Sequence, residues 1–196
     1  MSEHDFKPQV EPTETASAAN KSENSVKNMI LDWAEVFLQA LTIIVLIFMF
    51  IGRSSVVKGD SMVPTLHDKD LLLISDMFYT PARGDIVVVV KKSFQNDAIV
   101  KRIIALEGDT VDIDYVNNHV LVNDKIVEED YIDLVMDQRG SMSFPATVPD
   151  GHIFVMGDNR NHSLDSRENK VGMIDRRCIL GKVIFRLFPL KAIGTV

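Results

Sequence analysis

Cysteine and clustered positive charge are both scarce in this sequence of 196 residues, and each shortage excludes a class of function. Cys178 is the only cysteine, so the chain has no intrachain disulfide, no multi-cysteine zinc site and no Cys-X-X-Cys redox pair. The net charge is -7, and Lys and Arg form no basic stripe along the sequence. Because phosphate binding requires clustered cations, we do not expect nucleic acid as a partner.

Large apolar residues are nearly absent from residues 1–30, which are rich in Glu, Ser, Thr, Ala and Asn. Such a segment cannot bury enough apolar surface to offset the conformational entropy that is lost on ordering. The composition therefore predicts a disordered tail over residues 1–30.

Polar residues are scarce between residues 31 and 52, which contain the run WAEVFLQALTIIVLIFMFIG. Glu35, Gln39 and Thr42 are its polar residues, and its length is the roughly 20 residues that a helix needs to cross a bilayer. A cleavable secretory signal would be shorter and nearer the start of the chain. A buried core helix would keep a polar face, which the second half of this run lacks. We therefore predict a transmembrane helix at 31–52, and the balance of Lys and Arg around it leaves its orientation open.

After residue 52 the hydrophobic period becomes that of β-strands, and turn signals separate one candidate strand from the next. The two Asn-containing pairs at 117–118 and 123–124 predict tight hairpin turns, because Asn tolerates positive φ. The acidic stretch 128–139 has no readable pattern. The pattern predicts a mainly β, antiparallel domain over residues 53–196. The predicted strands are 54–58, 71–75, 85–90, 98–106, 110–115, 119–122, 125–127, 152–156 and 179–188.

Ser61 lies in a short loop between Gly59, which permits positive φ, and Pro64, which fixes φ. A rigid turn is a suitable mount for a nucleophile, yet a serine in such a turn usually contributes turn chemistry alone. A serine hydroxyl becomes a nucleophile only where a base removes its proton. The function of Ser61 therefore depends on what else the chain supplies.

Lys101 lies in the apolar segment 98–106 and, in an extended strand, shares a face with Ile99 and Ile103. Burial there disfavours the ammonium form, which lowers a lysine pKa by as much as about 3 to 5 units and allows the amine to act as a base. Arg102 on the other face cannot be the base, because a guanidinium does not give up its proton. The alternative, in which Lys101 reaches solvent or pairs with a carboxylate, stays open from this strand alone.

The segment 157–167 is too dense in hydrogen-bonding groups to be a simple turn. Its charged residues can form ion pairs that brace the loop, and a hydroxyl from Ser163 or Ser166 can orient an amine. A solvated surface loop with Asx turns is the alternative interpretation. The four charged residues concerned are Asp158, Arg160, Asp165 and Arg167.

Two other catalytic interpretations have weaker support in the sequence. His162 could form a Ser-His-Asp triad with Ser61, and His67 with Asp68 and Asp70 could bind a metal. Neither set has the recurrent spacing of a known motif. We therefore predict no metal and no cofactor.

Four motifs, taken in order after one apolar N-terminal segment, resemble those of the type I signal peptidases. The single anchor and the size of the domain are similar to the Gram-positive type of this family. The resemblance covers residues 33–190. The motifs are Ser61-Met62-Val63-Pro64-Thr65, Arg83-Gly84-Asp85-Ile86-Val87, Val100-Lys101-Arg102-Ile103-Ile104 with Glu107-Gly108-Asp109, and Gly157-Asp158-Asn159-Arg160 with Ser163, Asp165, Ser166 and Arg167.

The resemblance implies a protease with a serine/lysine dyad that removes signal peptides from exported preproteins by cleaving after small residues of the Ala-X-Ala type. It implies a single-pass protein of the cytoplasmic membrane, with a cytoplasmic tail, an extracytoplasmic catalytic domain and an association with the secretion machinery. In this family's pattern Ser61 is the nucleophile, Lys101 is the general base and Ser163 holds the lysine. Asp158, Asp165 and Arg167 occupy the bracing positions. Met62, Leu66 and Ile99 occupy positions that line the substrate pockets.

The chain departs from the family pattern at two positions. Some members have a serine two residues before the nucleophile as an oxyanion donor, and Gly59 stands there, so we expect the Ser61 N–H to take more of that role. Ala105 stands where Gly is common after the lysine strand, which affects the expected backbone geometry there.

Two alternatives also remain: a self-cleaving repressor peptidase, for which the chain lacks a DNA-binding helical region, and a membrane-tethered binding module without catalysis.

Overall fold

The structure is a computed structural model that describes residues 14–51, 53–90, 98–132 and 135–196. The chain divides into two units, Met1–Phe48 and Met49–Val196. The first contains most of a single long helix and the second contains the strands, and each is described by itself.

Helix α1 spans Glu14–Ile51. Over Lys27–Leu46 its mean hydropathy is 1.8 and none of its residues is buried, so by length and composition this part of α1 is able to cross a bilayer. The polar side chains within it bond inside the helix: Gln39 donates to Glu35 at 3.3 Å, and the Thr42 hydroxyl donates to the Leu38 carbonyl at 2.8 Å. Such bonds lower the cost of placing polar groups in lipid.

The helix begins earlier than the sequence analysis expects. Residues 14–30 are helical rather than part of a disordered tail, while residues 1–13 of the predicted tail lie outside the described residues. Extending an existing helix needs no new nucleus, and residues 14–30 contain neither Gly nor Pro, which would interrupt it. A low content of large apolar residues predicts that a segment is not buried, but it does not exclude helix that continues from a neighbouring segment.

In the part of the second unit that the structure describes, twelve strands form two antiparallel sheets. The larger sheet has the order β1-β2-β11-β3-β4-β9-β10, with β12 paired to β11, and the smaller one has the order β7-β6-β5-β8. Short 3-10 turns occur at Arg176–Cys178 and Leu190–Ala192. The strands are β1 (Arg53–Val56), β2 (Leu71–Ser75), β3 (Ile86–Val90), β4 (Ala98–Leu106), β5 (Thr110–Asp114), β6 (His119–Val122), β7 (Lys125–Ile126), β8 (Ala146–Thr147), β9 (His152–Met156), β10 (Ile174–Asp175), β11 (Ile179–Phe188) and β12 (Gly194–Thr195).

The prediction of a mainly antiparallel β domain is confirmed, and each of the nine predicted strands overlaps an observed one. Both predicted hairpin turns are present, and Asn118, Asn123 and Asp124 take positive φ values of 61°, 53° and 62°. The strands that the sequence pattern missed are β8, β10 and β12, each of two residues. Two residues carry no alternation that a pattern could detect, and β7, which also has two, is indicated by the predicted turn at 123–124 that precedes it.

Strand β4 is central to the packing because it contributes to all three apolar clusters of the β unit. Val100 packs with β2, β3 and β11, Ile103 packs on the opposite face, and Ile104 joins the cluster that links the two sheets. The register of β4 against β9 shifts between Ile103 and Ala105, and Ala105 is fully buried. Alanine in place of the expected Gly is therefore accommodated beside an irregularity in the strand pairing.

The two neighbours of β4 cover different lengths of it. Strand β3 pairs with residues 98–102, whereas β9 pairs only from Arg102 to Leu106. Along residues 98–101, no strand of the described chain pairs with the edge on the β9 side. Lys101 lies in this stretch, so one edge of the β4 backbone beside the lysine has no strand partner in the described residues.

Phe154 tests the packing between the sheets, since it is fully buried in the linking cluster and meets the Phe144 ring edge-on at 5.9 Å. We expect Phe154→Ala to lower the free energy of unfolding by about 3–5 kcal/mol through lost burial and a cavity. The control is Phe78→Ala, because the Phe78 side chain is 98% exposed, and its effect should stay within about 0.5 kcal/mol. Denaturant titration measures both, and similar losses would contradict this assignment of the core.

Candidate active site

Ser61 lies in the loop between β1 and β2, and the 157–167 loop after β9 holds it from the other side. The Asn159 backbone N–H donates to the Ser61 carbonyl at 3.0 Å, and the Asn159 carboxamide donates to the Asp60 carbonyl at 3.1 Å. The Thr65 hydroxyl donates to Asp158 at 2.5 Å. Two hydrogen bonds donated by Asn159 and one accepted by Asp158 therefore hold the Ser61 loop against the 157–167 loop.

The Lys101 amine lies 2.6 Å from the Ser61 hydroxyl oxygen and 2.9 Å from the Val100 carbonyl oxygen, to which it donates. Lys101 is only 3% exposed, although it carries an ionisable amine. The sequence alternative in which its stem reaches solvent is therefore wrong. The structure brings the predicted nucleophile and base into direct contact.

Burial lowers the pKa of Lys101 from its ordinary value of 10.5 to about 8, while Asp165 and Asp158 oppose the shift and Arg167 adds to it. A measurable fraction of the amine is thus neutral at pH 7 to 8. A neutral amine can accept the Ser61 proton, which an ammonium cannot do. The physical cause is the one that the apolar strand pattern predicted.

Asp158 pairs with Arg102 rather than with the amine. The Arg102 guanidinium donates to the two carboxylate oxygens at 2.9 and 2.7 Å, and it also donates to the Gly84 carbonyl at 2.9 Å. The side chains are 12% and 1% exposed, so this two-point ion pair is largely screened from water. It links β4 to the 157–167 loop next to Lys101.

Asp165 and Arg167 form a second ion pair, which closes the 157–167 loop on itself. The guanidinium donates to the two Asp165 oxygens at 2.8 and 2.9 Å and to the Arg160 carbonyl at 2.6 Å, and Asp165 accepts the Gly157 N–H at 3.0 Å. Burial raises the pKa of Asp165, but the hydrogen bonds and charge of Arg167 outweigh it, so the pKa lies below its ordinary value. Asp165 therefore remains an anion near the amine.

The buried Ser163 hydroxyl forms no hydrogen bond of ordinary geometry within the described part of the chain, although it lies close enough to the Asp165 carboxylate to help lower the pKa of that group. The structure places it beside Gly157, where a Cβ would overlap both the Ser163 oxygen and the Ser61 carbonyl oxygen. Ser163 thus lies next to the nucleophile loop, but among the described contacts of Lys101 there is no bond to it. Its role in holding the lysine stays a prediction.

The three predicted pocket residues do not form one cluster. Met62 and Leu66 are fully buried in the apolar cluster beneath the nucleophile loop, whereas Ile99 is partly exposed and packs with the cluster on the opposite face of the sheet. Met62 and Leu66 therefore support the loop from below, and their contact with substrate stays a prediction.

The weaker histidine interpretations gain no support from these contacts. His162 is exposed, and its backbone N–H donates to the Asn159 carbonyl. His67 is also exposed and reaches Asp70 through its backbone N–H, while the Asp70 carboxylate pairs with Arg186 at 3.1 Å. The described contacts of the Ser61 hydroxyl come from Lys101 alone.

Two backbone N–H groups are candidate donors to an oxyanion, those of Ser61 and Gly59. No acceptor in the described residues takes the Ser61 backbone N–H, so this donor is available to a ligand. Gly59 has φ of 78°, and its N–H donates to Asp68 at 2.8 Å, so this glycine shapes the turn and supplies no donor for an oxyanion.

Sequence reasoning missed three residues that organise the site: Arg102, Asn159 and Glu129. Arg102 entered only as a residue unable to be the base, and Asn159 entered only as part of a motif. Glu129 belongs to the unreadable acidic stretch, yet it forms a two-point ion pair with the buried Arg160 at 3.0 and 2.5 Å. Their polar groups were visible in the sequence, but their partners were not, because each contact joins distant segments.

An antiparallel β domain in which a buried amine contacts a serine hydroxyl has the arrangement of serine hydrolases whose base is a lysine. The fold and the site geometry by themselves indicate this class of enzyme and no particular family.

Comparison with known proteins supplies the family. The family described as signal peptidase, peptidase S26, matches residues 30–188. A protein of Bacillus amyloliquefaciens named signal peptidase I is 37% identical over 189 residues, which cover 89% of this chain and 97% of that protein. Signal peptidase I S of Bacillus subtilis (strain 168) is 39% identical over 187 residues, covering 87% and 96%. Among solved structures, a signal peptidase I from Enterococcus faecalis V583 has 27% sequence identity to this chain and a TM-score of 0.45. The match covers 54% of this chain and 97% of that one.

The chain therefore belongs to the signal peptidase family, peptidase S26, and is a hydrolase of the serine peptidase class. The family to which the sequence motifs pointed is confirmed.

Replacing Lys101 tests its burial through stability. The folded-state pKa of about 8 lies below the ordinary 10.5, so the unfolded chain binds more protons between these values, and the stability of the wild type rises with pH across this window. Lys101→Met removes a penalty of up to about 3 kcal/mol at pH 7. We expect the variant to be more stable than the wild type at pH 7, with the difference shrinking from pH 8 to 10. Unfolding titrations measure it, and a difference independent of pH would contradict the burial argument.

Gly157→Ala tests the close approach of the two loops. Because its Cβ would overlap the Ser163 and Ser61 oxygens, the loops must separate, and we expect kcat/KM to fall by about 100-fold, as a misplacement near 1 Å produces. Gly194→Ala is the matched control, since a Cβ there meets no atom within 4 Å. Circular dichroism checks that both variants fold. A folded Gly157→Ala enzyme with the kcat/KM of the wild type would exclude this tight packing.

Proposed function

We propose that this protein is a membrane-bound serine endopeptidase that removes N-terminal signal peptides from exported preproteins, with Ser61 as nucleophile and Lys101 as general base. The observation that carries the proposal is the 2.6 Å contact between the Lys101 amine and the Ser61 hydroxyl inside a buried site. Family membership supports the removal of signal peptides, because the named relatives are signal peptidases.

In the first step neutral Lys101 accepts the Ser61 proton as the hydroxyl oxygen attacks the carbonyl carbon of the last signal-peptide residue. The tetrahedral oxyanion forms near the Ser61 N–H, which is free to donate. The ammonium of Lys101 then gives its proton to the leaving nitrogen. The C–N bond breaks, the mature protein leaves with a free amine, and the signal peptide remains as an ester on Ser61.

In the second step Lys101, again neutral, takes a proton from a water molecule that attacks the ester carbonyl. The C–O bond to Ser61 breaks, and the serine oxygen recovers its proton from Lys101. The signal peptide leaves as a carboxylic acid, and the enzyme returns to its starting state. One amine serves both steps because its lowered pKa lets it exchange protons near neutral pH.

The unpaired edge of β4 supports a mode of substrate binding. Residues 98–101 lack a strand partner on one side in the described chain, and an extended peptide could pair with this edge beside Lys101. A peptide in this position would meet the half-buried Ile99 and the loop supported by Met62 and Leu66. We propose that these three residues favour small side chains, as in an Ala-X-Ala end.

The tether and the orientation belong to the same proposal. Helix α1 provides a span over Lys27–Leu46 that is apolar enough for a single crossing of the cytoplasmic membrane. A cytoplasmic N-terminus places the β domain on the outer side, where preproteins emerge from the secretion machinery. We propose association with that machinery on this ground, and the substrates are membrane-associated preproteins.

A binding module without catalysis is the competing function. It would have no use for a buried lysine whose burial opposes folding, whereas an enzyme requires one. A serine-directed acylating reagent distinguishes the two functions, because only an activated Ser61 reacts with it.

Two substitutions test the dyad directly. We expect Ser61→Ala and Lys101→Met each to abolish preprotein processing by the full-length protein in membranes, since one removes the nucleophile and the other the base. Ser54→Ala and Lys125→Met are controls of the same type at exposed positions and should process normally. Gel analysis of a radiolabelled preprotein measures each, and processing by either dyad variant would refute the proposal.

The pH dependence tests the identity of the base. Since Lys101 must be neutral, kcat/KM should rise with pH, fall about tenfold for each unit below 8, and level off above that value. A rate that stays constant from pH 8 down to pH 5 would exclude Lys101 as the base.

A further inference from the structure

Tyr131, in the acidic stretch without a readable pattern, lies against Arg102, the cation that pairs with Asp158. The Arg102 guanidinium carbon is 3.9 Å from the centre of the Tyr131 ring. At this distance a guanidinium and an aromatic face attract each other. The ring covers one face of the guanidinium, while its edges donate to Asp158 and to the Gly84 carbonyl.

Glu129 joins Tyr131 to the second arginine of the site. The Tyr131 hydroxyl donates to Glu129 at 3.0 Å, and Glu129 pairs at two points with Arg160, whose side chain is 1% exposed. Arg160 in turn donates to the Gly157 carbonyl at 3.0 Å. Residues 129–131 therefore hold both a cation from β4 and a cation from the 157–167 loop.

The charges facing the Lys101 amine are arranged as two pairs. Asp158 and Asp165 each favour the ammonium form, and Arg167 opposes it. Arg167 is bound at several points by its own loop, so the pair with Asp165 is independent of residues 129–131. The pair of Arg102 and Asp158 differs, because the Tyr131 ring stands over one face of its cation.

We propose that Tyr131 is a positioning residue for the Ser61 and Lys101 pair, acting through Arg102. Its ring holds the guanidinium on Asp158, and the positive charge at this short distance reduces the negative potential that the carboxylate adds at the buried amine. This inference rests on the proposed function, since it concerns the state of the proposed base. Without the ring, Arg102 gains freedom, and a guanidinium that moves away from Asp158 leaves its negative charge less compensated, which stabilises the ammonium form of Lys101.

Tyr131 itself does not titrate in the range that matters. Burial, followed by the negative charge of Glu129, raises the pKa of Tyr131 above its ordinary value of 10.0. The ring is therefore neutral at every pH at which the enzyme would be assayed. Any change in the pH profile of a Tyr131 variant then reports on Lys101.

The experiment measures kcat/KM from pH 6 to 9.5 for the full-length protein in membranes, with a preprotein substrate. For Tyr131→Leu we expect the acid limb to move upward by about 0.5 to 1 unit, which lowers the rate at pH 7 by about 3- to 10-fold. At pH 9.5 the rate should stay within about twofold of wild type, because Lys101 is then neutral in both proteins. Tyr131→Phe keeps the ring and should retain the profile of the wild type.

Phe78→Leu is the control for loss of an aromatic ring, since Phe78 is 98% exposed and takes no part in the described contacts of Arg102 and Asp158. Its acid limb should coincide with that of the wild type.

A Tyr131→Leu enzyme that loses activity equally at every pH, or that matches the wild type at pH 7, would overturn the inference, as would an equal shift in Tyr131→Phe. If the wild type itself has no acid limb, the proposed function fails; if it has one that Tyr131→Leu shares, only this inference fails.

Discussion

One contact, between a buried amine and a serine hydroxyl 2.6 Å away, sets the requirements that the rest of the β unit meets. The amine must be shielded from water to be neutral near pH 8, and the shielding itself opposes folding. The apolar clusters on both faces of β4 supply the shielding, and the Val100 carbonyl accepts a hydrogen bond from the amine. The catalytic group is thus held in place by the same packing that makes it reactive.

The carboxylates near the amine create a second requirement. An unpaired anion in this interior would be costly to desolvate and would also return Lys101 to its ammonium form. Each of Asp158 and Asp165 forms a two-point pair with its own arginine, Arg102 and Arg167, which offsets the desolvation cost, and their remaining pull toward the ammonium form is smaller than the effect of burial. The 157–167 loop therefore has two tasks: it fixes the nucleophile loop, and it limits the negative potential at the base.

The fold was largely predictable, and each failure has a local cause. Alternation revealed the longer strands and the predicted turn at 123–124 indicated β7, but β8, β10 and β12 have two residues each, too few to show a period. Residues 14–30 form helix because helical propensity continues along α1, which an argument from burial alone does not consider. The stretch 128–139 had no pattern because Glu129 and Tyr131 make their contacts with Arg160 and Arg102, far away in the sequence.

By itself the sequence determined the residue types and their local settings: a hydroxyl between Gly59 and Pro64, an amine on an apolar strand, and an apolar run long enough to cross a bilayer. These follow from periodicity and from the conformational limits of single residues. Only the tertiary structure decided that Ser61 and Lys101, forty positions apart, lie in contact, and that Arg102 pairs with Asp158. The reason is physical, because such distances depend on strand register and loop packing, which many distant residues set together.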